Sequence, residues 1–492
     1  MTLNLKTVRL IYQIFFLISF IILIFLSTPF IWKEDRFEFI PYPLAFFLRI
    51  SPLHSISILL SSGTVYRGLI LSLFTIILTL FFGRVFCGWV CPLGTIHQFI
   101  SWLFHIKSDS KKINIYKSIY KIKYFILLFF LISAILSLNL EGFLEPLSLI
   151  YRTFATSILP AITSNFIKAN YSHSWFLGIF FLFILSLNFI IPRFWCRVLC
   201  PLGALLGLMT FSPIFKINKK DGCTSCLKCL KACQGGDEPH KEHYHRECIV
   251  CLNCIDKCPE NVLSYSFLGN ISEKSKIDLS KRTLLFTIFG SILIPLLIKS
   301  SAGRKRFLNY NMIRPPGALP EEEFLKKCIK CGSCMKICPT NALHPAFGET
   351  TFEGIWTPVL IPKIGYCSQN CNLCSLVCPT GAIKPFSIEE KIIKPIRIGS
   401  AVIDTSRCLP FAYGTPCIVC EEVCPTSPKS IFFIEKKVMV RGEIKKLKQP
   451  FVDLKYCWGC GICETRCPVQ AHPAIYVISS GETREPSNKI LL

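Results

Sequence analysis

The stretch Cys248-Ile-Val-Cys251-Leu-Asn-Cys254-Ile-Asp-Lys-Cys258-Pro259 reads C-x2-C-x2-C-x3-C-P, the ligand spacing of a cubane iron–sulfur cluster. Three cysteines two residues apart let a tight loop wrap one face of the cube, and the fourth reaches a neighbouring cluster from the following turn. The same run recurs at Cys328, Cys331, Cys334 and Cys338 and at Cys457, Cys460, Cys463 and Cys467. Cys223, Cys226, Cys229 and Cys233 keep the spacing, with Gln234 in place of the proline. Two groups are irregular: Cys367, Cys371, Cys374 and Cys378 start with C-x3-C, and Cys408, Cys417, Cys420 and Cys424 start with C-x8-C. Together these six groups take 24 of the 28 cysteines and predict six [4Fe–4S] clusters, with iron as the metal on every one of these residues. A disulfide framework belongs to small secreted domains, and zinc ribbons lack the third cysteine two residues on.

By analogy with two-cluster ferredoxins, the fourth cysteine of each run serves the partner cluster. Cys258 is then expected to join Cys223, Cys226 and Cys229, and Cys233 to join Cys248, Cys251 and Cys254. Among the last four groups, the regular first and last are expected to pair, leaving the two irregular groups to each other.

Hydrophobic residues make up 51% of the 492-residue chain, a balance that places part of it in lipid. Apolar runs extend from Leu10 to Ile31, Val65 to Gly83, Tyr124 to Leu140 and Trp175 to Ile191, with Arg67 placed to snorkel. The link between the second and third carries Arg84, Lys107, Lys111, Lys112, Lys117, Lys121 and Lys123 against Asp109, so it is expected in the cytoplasm. Lys6 and Arg9 before the first run, and Arg193, Arg197, Lys216, Lys219 and Lys220 after the fourth, fall on the same side. The links around Glu34 to Glu38 and Glu141 to Glu145 face out. This clustering in loops beside apolar runs accounts for the net charge of +24 and speaks against a nucleic-acid partner.

A duplication lies inside this half. Cys87-Gly-Trp-Val-Cys91-Pro-Leu-Gly94 is echoed by Cys196-Arg-Val-Leu-Cys200-Pro-Leu-Gly203, with Arg84 or Arg193 three residues ahead. On a helix, each pair of cysteines would share one face. Four converging thiols could hold a metal, an extra cluster or a redox disulfide near the approach of quinone headgroups; the competing reading is cysteine packing at helix ends. His54, His97, His105 and His173 include no pair at matched depth for a haem and read as interfacial or hydrogen-bonded. The outward stretches Pro43 to Leu60 and Pro146 to Pro160 carry Arg49 and Arg152, either as interfacial helices beside a quinone pocket or as packed loops.

A fifth apolar run, Leu284 to Ile298, contains Pro295 and is basic at both ends, with Lys281 and Arg282 before it and Arg304, Lys305 and Arg306 after it. Ser280-Lys-Arg-Thr-Leu-Leu285 is a weakened twin-arginine export signal. Crossing would place the last four groups outside; skimming the surface would keep them in the cytoplasm.

Taken together, residues 1 to about 270 resemble NapH and those from about 275 onward resemble NapG, the latter on the leader, the phrase Arg314-Pro-Pro-Gly-Ala318 and the four cluster groups. The MauN and MauM proteins of methylamine utilisation share this plan. The expected fold class is an α-helical membrane domain with four crossings and a fifth, carrying α+β ferredoxin-like [4Fe–4S] domains. Its parts are a membrane domain at 1–215, a two-cluster domain at 216–270, a leader and fifth helix at 275–302, and a four-cluster domain at 303–492. What the resemblance implies is a multi-pass protein of the inner membrane that takes electrons from quinol, usually menaquinol, to a periplasmic cytochrome or reductase. The N-terminus and first ferredoxin unit would be cytoplasmic and the C-terminal domain periplasmic. Similarity to CcoG/RdxA proteins offers an alternative, a copper-handling assembly factor for an oxidase; redox sensing is a third.

Overall fold

The computed structural model describes the chain except residues 1–4, 28–29, 32–36, 39–44, 67, 105–113, 164–170, 173, 211–214, 241–245, 268–280, 305–311, 441, 470, 486–487 and 489–492. Arg67, Glu34, His105, Lys107, Asp109, Lys111, Lys112, His173, Ser280, Lys305 and Arg306 therefore lie outside the described residues. Two compact units emerge: Met1–Leu26, Pro43–Phe154 and Trp175–Leu297 form the first, and Ser27–Tyr42, Ala155–Ser174 and Ile298–Leu492 form the second.

In the first unit, apolar runs become long helices, one of which holds Pro295 in its interior. Leu5–Leu26, Ser118–Ile135 and Lys281–Lys299 are long and apolar enough to cross a membrane, with mean hydropathies of 2.4, 1.8 and 1.7. Gly68–Phe82 and Ser174–Phe189 are equally apolar in character but shorter. The first helix starts at Leu5 rather than Leu10 because its basic end is not left to lipid: Arg9 is buried and donates to the Cys251 carbonyl at 2.8 Å, and Gln13 donates to the Gly88 carbonyl at 2.7 Å. The third stops at Ile135, short of Leu140, where Ser137 takes a left-handed φ of 61°.

Neither outward stretch lies as an interfacial helix. Pro52–Ser62 buries Leu53, His54, Ser55, Ser57 and Ile58, and every residue of Pro146–Thr153 is buried. Each starts on a proline at its first turn, where the missing N–H costs nothing. After the membrane helices, strand Phe215–Lys219 pairs antiparallel with Leu263–Phe267 and brackets the first two cysteine groups.

The second unit is built of short helices and antiparallel strand pairs. Leu343–Pro345 pairs with Pro358–Leu360, Ile431–Val440 with Glu443–Val452, and Ser400–Ile403 with Ile475–Ile478. The segment Ala155–Ser174, which links the third and fourth apolar helices, belongs to this unit: Tyr171 donates to the Met335 carbonyl at 3.1 Å, and the Ser172 N–H donates to His344 Nδ1 at 2.9 Å. Sequence-ordered domain boundaries did not anticipate that grouping.

The Arg314-Pro-Pro-Gly phrase is an architectural knot. Arg314 lies over the Phe324 ring, donates to Thr357 Oγ1 at 2.7 Å and the Pro358 carbonyl at 2.8 Å, and pairs with Glu321 at 2.6 Å. Burial would raise the Glu321 carboxyl, but Arg314 and Arg484 hold it down at about 2. Its contribution to stability is therefore complete above the ordinary carboxylate range and is lost as pH falls toward 2. Arg314→Ala is expected to cost about 3 kcal/mol, the low end for one partner of a buried pair because Arg484 still holds Glu321. Anaerobic melts followed by visible cluster absorbance should show the midpoint down by roughly 6–12 °C.

Candidate cluster sites and the membrane thiols

How a short loop aims three thiols at one point is visible in the backbone. In each C-x2-C-x2-C group the residues on either side of the second cysteine are left-handed: Ser225 and Leu227, Val250 and Leu252, Lys330 and Gly332, Gly459 and Gly461. Paired left-handed residues coil the chain into a cup, and the third cysteine then rides the first turn of a short helix such as Ser333–Lys336 or Ile462–Thr465. Glycine meets that demand without strain at three of the eight positions.

The fourth thiol comes from another group. One cavity is lined by Cys223, Cys226, Cys229 and Cys258, and a second by Cys233, Cys248, Cys251 and Cys254, the exchange expected above. In the second unit, Cys328, Cys331 and Cys334 share a cavity with Cys378, and Cys338 shares one with Cys367, Cys371 and Cys374. Cys408, Cys417 and Cys420 share a cavity with Cys467. Cys424 acts electrostatically on both Cys457 and Cys463, completing a sixth set with Cys460. These partners correct the expected pairing of the first group with the last. Neighbours in sequence pair instead, because the strands Leu343–Pro345 and Pro358–Leu360 fold Cys338 back toward Cys367, and the Ile431–Val452 hairpin returns the chain from Cys424 to Cys457. The five cavities are alike in size, 310 to 390 Å³.

The four sets of the second unit form a line. Cys334 and Cys338 tie the first two sets together through one short helical turn, as Cys374 and Cys378 do. The Cys367 N–H donates to the Cys460 carbonyl at 2.8 Å, joining the second set to the third, and Cys463 and Cys467 join the third to the last. Beside the second set, Lys391 Nζ lies 3.3 Å from Cys367 Sγ, donates to the carbonyls of Ser368 and Cys371, and sits 5.3 Å from the Trp458 ring centre.

In the first unit the two C-x3-C-P repeats each grip one cluster loop. Trp89 Nε1 donates to the Val250 carbonyl at 2.9 Å, and a Cβ on Gly88 would sit 2.2 Å from the Ile249 carbonyl oxygen, so only glycine allows this approach. From the second repeat, Arg197 donates to the carbonyls of Cys233 and Gln234 at 3.1 and 3.0 Å. Glu247, next to Cys248, is buried against Lys123, Arg84 at 3.3 Å and the Tyr124 hydroxyl at 2.9 Å. The paired cysteines do not share a helical face. Cys87 and Cys196 lie on five-residue wide turns, Phe86–Val90 and Trp195–Leu199, and Cys91 and Cys200 cap the next helices in extended conformation. Pro92 and Pro201 cause this, since the residue before proline is driven out of the helical region. Burial pushes the Cys200 thiol up, and the nearby thiols of Cys196, Cys87 and Cys91 push it further.

Sequence reading missed a second buried polar group. His54 is fully enclosed: its Nδ1 lies 2.9 Å from Glu141 Oε1, and its Nε2 lies 3.1 Å from Glu145 Oε2 and 3.0 Å from Ser148 Oγ. Burial disfavours the imidazolium, but the two carboxylates outweigh it and raise the pKa to about 10. A histidine inside an apolar run was the available signal. His97, by contrast, pairs with Asn188 at 2.9 Å.

The fold and sites define a class, a protein with apolar membrane-length helices and 4Fe–4S ferredoxin domains. Residues 64–111 and 174–220 match a family described as 4Fe-4S binding domain, and residues 324–344 and 450–471 match a second family of that description. Among curated relatives, an uncharacterized protein of Methanocaldococcus jannaschii is 28% identical over 39% of this chain and 76% of its own length. The putative electron transport protein YccM of Escherichia coli is 27% identical over 44% of the chain and 60% of its own length. The ferredoxin-type protein NapH of Haemophilus influenzae is 27% identical over 37% and 62%. No solved structure matches. The chain thus carries matches to 4Fe-4S binding domains and is similar to proteins named for electron transport and as ferredoxin-type.

Lys391 presents a cation to a cluster whose negative charge grows on reduction, so it favours the reduced state. Lys391→Met is expected to lower the potential of that one centre by up to about 100 mV, the one-electron equivalent of a charged hydrogen bond of roughly 2 kcal/mol. Redox titration followed by electron paramagnetic resonance checks it.

Proposed function

We propose that the chain oxidises a membrane hydroquinone and delivers the electrons, through six [4Fe–4S] clusters ligated by the 24 grouped cysteines, to a redox protein on the outer face of the membrane. The observation that carries this reading is the membership of Ala155–Ser174 in the C-terminal unit, with Tyr171 bonded to Met335 beside the Cys334 turn. By the distribution of basic residues that segment is an outward loop, so the four-cluster line shares its side. Crossing by the helix Lys281–Arg304 gives the same side: its 24 residues reach about 36 Å, and Leu285, Phe286 and Phe289 are exposed as lipid-facing residues would be. The relative named NapH supports electron transfer of this kind, and the second half follows the NapG plan.

Hydroquinone oxidation releases two protons as two clusters each take one electron. The buried group of His54, Glu141 and Glu145 fits the role of proton acceptor, because it holds two carboxylates around one imidazole within the first unit. A copper-handling role is less well supported, because the four cysteine groups of the second unit have no use in a factor acting only at the membrane.

Anaerobic protein in vesicles should have its clusters reduced by menaquinol and reoxidised by an acceptor confined to the face exposing the C-terminus, mapped by a reporter after Leu492. Absence of menaquinol reduction, or a cytoplasmic C-terminus, would end this reading. His54→Gln and Glu141→Gln should each slow menaquinol-driven reduction about 10²-fold while leaving dithionite reduction unchanged.

A further inference from the structure

The four thiols left over from the six groups lie near one another and beside two buried arginines, where a bound anionic centre would be welcome. Cys91 is acted on by Cys87 and Cys196, and Cys200 by Cys196, Cys87 and Cys91, so the set draws two thiols from each repeat. The flanking arginines are exchanged across the pair. A Cβ on Gly203 of the second repeat would meet Arg84 Nη2 of the first at 2.8 Å, and one on Gly94 of the first would lie 4.0 Å from Arg193 Nη2 of the second.

These guanidiniums are only partly used. Arg84 gives Nη1 to the Arg246 carbonyl and Glu247, and Arg193 gives Nη2 to the Gly94 carbonyl and Gln98. Arg84 Nε and Arg193 Nε and Nη1 are buried without a hydrogen-bond partner, although the residues are only 1% and 3% exposed. Two buried cations with spare donors beside four thiols call for a compact anion that the thiols themselves help to make. Backbone donation to sulfur is also in place: the Gly203 N–H lies 3.2 Å from Cys200 Sγ, as the Val250 N–H lies 3.4 Å from Cys248 Sγ in a cluster loop.

We propose that Cys87, Cys91, Cys196 and Cys200 together ligate one further [4Fe–4S] centre, shared between the two repeats and neutralised by Arg84 and Arg193. An oxidised cubane with four thiolates carries about −2, matching the two guanidiniums. The matched 4Fe-4S family covers each repeat separately; the geometry makes them halves of one site. Through Gly88 and Trp89 this centre abuts the loop of Cys248 and Cys251, so it exchanges single electrons with that cluster, one centre oxidised as the other is reduced and no proton moved.

The test uses the full chain purified without oxygen. Native mass spectrometry of the unmutated protein should find seven inorganic cores, about 28 iron and 28 sulfide. The Cys87, Cys91, Cys196 and Cys200→Ser quadruple variant should lose about four of each and one paramagnetic signal, with the remaining signals intact. Arg193→Gln should keep full iron and shift only that signal's potential downward. Six cores in the unmutated chain, equal iron in the variant, a trapped disulfide among these four cysteines, or copper or zinc in place of iron would overturn the assignment. None of these readings depends on the electron donor, so loss of menaquinol activity would leave the assignment standing.

Discussion

A cubane has to be held at four iron corners, and a loop of three cysteines two residues apart can reach only three of them. That shortfall organises the protein. Every regular group must borrow a thiol from another segment, so Cys258 is tied to the loop of Cys223, Cys233 to that of Cys248, and Cys378 to that of Cys328. Each exchange closes a chain loop and places two cavities side by side, so the ligation that would hold the fold together would also make a conducting line.

The membrane unit solves a different problem, that of placing charge where water is scarce. Arg9, Arg84, Lys123 and Arg197 are buried near the ends of apolar helices, with Glu247 buried in the loop before Cys248, and an isolated ion there would cost several kcal/mol. Part of that cost is offset by aiming the cations at backbone carbonyls of the cluster loops and at Glu247. The basic residues that orient the chain in lipid therefore also dock the first ferredoxin unit, and Gly88 lets the docked backbones meet with no side chain between them. His54 with its two carboxylates is a buried ionisable cluster built from segments about ninety residues apart.

Much of this was legible in the residues. Spacing picked out the cysteines that line the shared cavities, because a cube of fixed size accepts only a few loop lengths, and apolar runs named the helices, because lipid enforces unbroken backbone hydrogen bonding. The repeat of Cys-x3-Cys-Pro was readable too, but its geometry was not: a four-residue interval suggested one helical face, and the prolines instead put each pair across a wide turn and a helix cap. Likewise the irregular group at Cys367 gave no hint that it would serve Cys338 and not Cys408.

By itself, then, the sequence determined which side chains have the spacing of cluster ligands and which segments are apolar enough for lipid, since both follow from local spacing and local hydrophobicity. The tertiary structure alone decided which thiols share a centre, that Ala155–Ser174 joins the C-terminal unit, and that His54 meets Glu141 and Glu145. Those outcomes depend on contacts between residues far apart in the chain, whose energies come from packing and desolvation in three dimensions and leave no periodic mark in one.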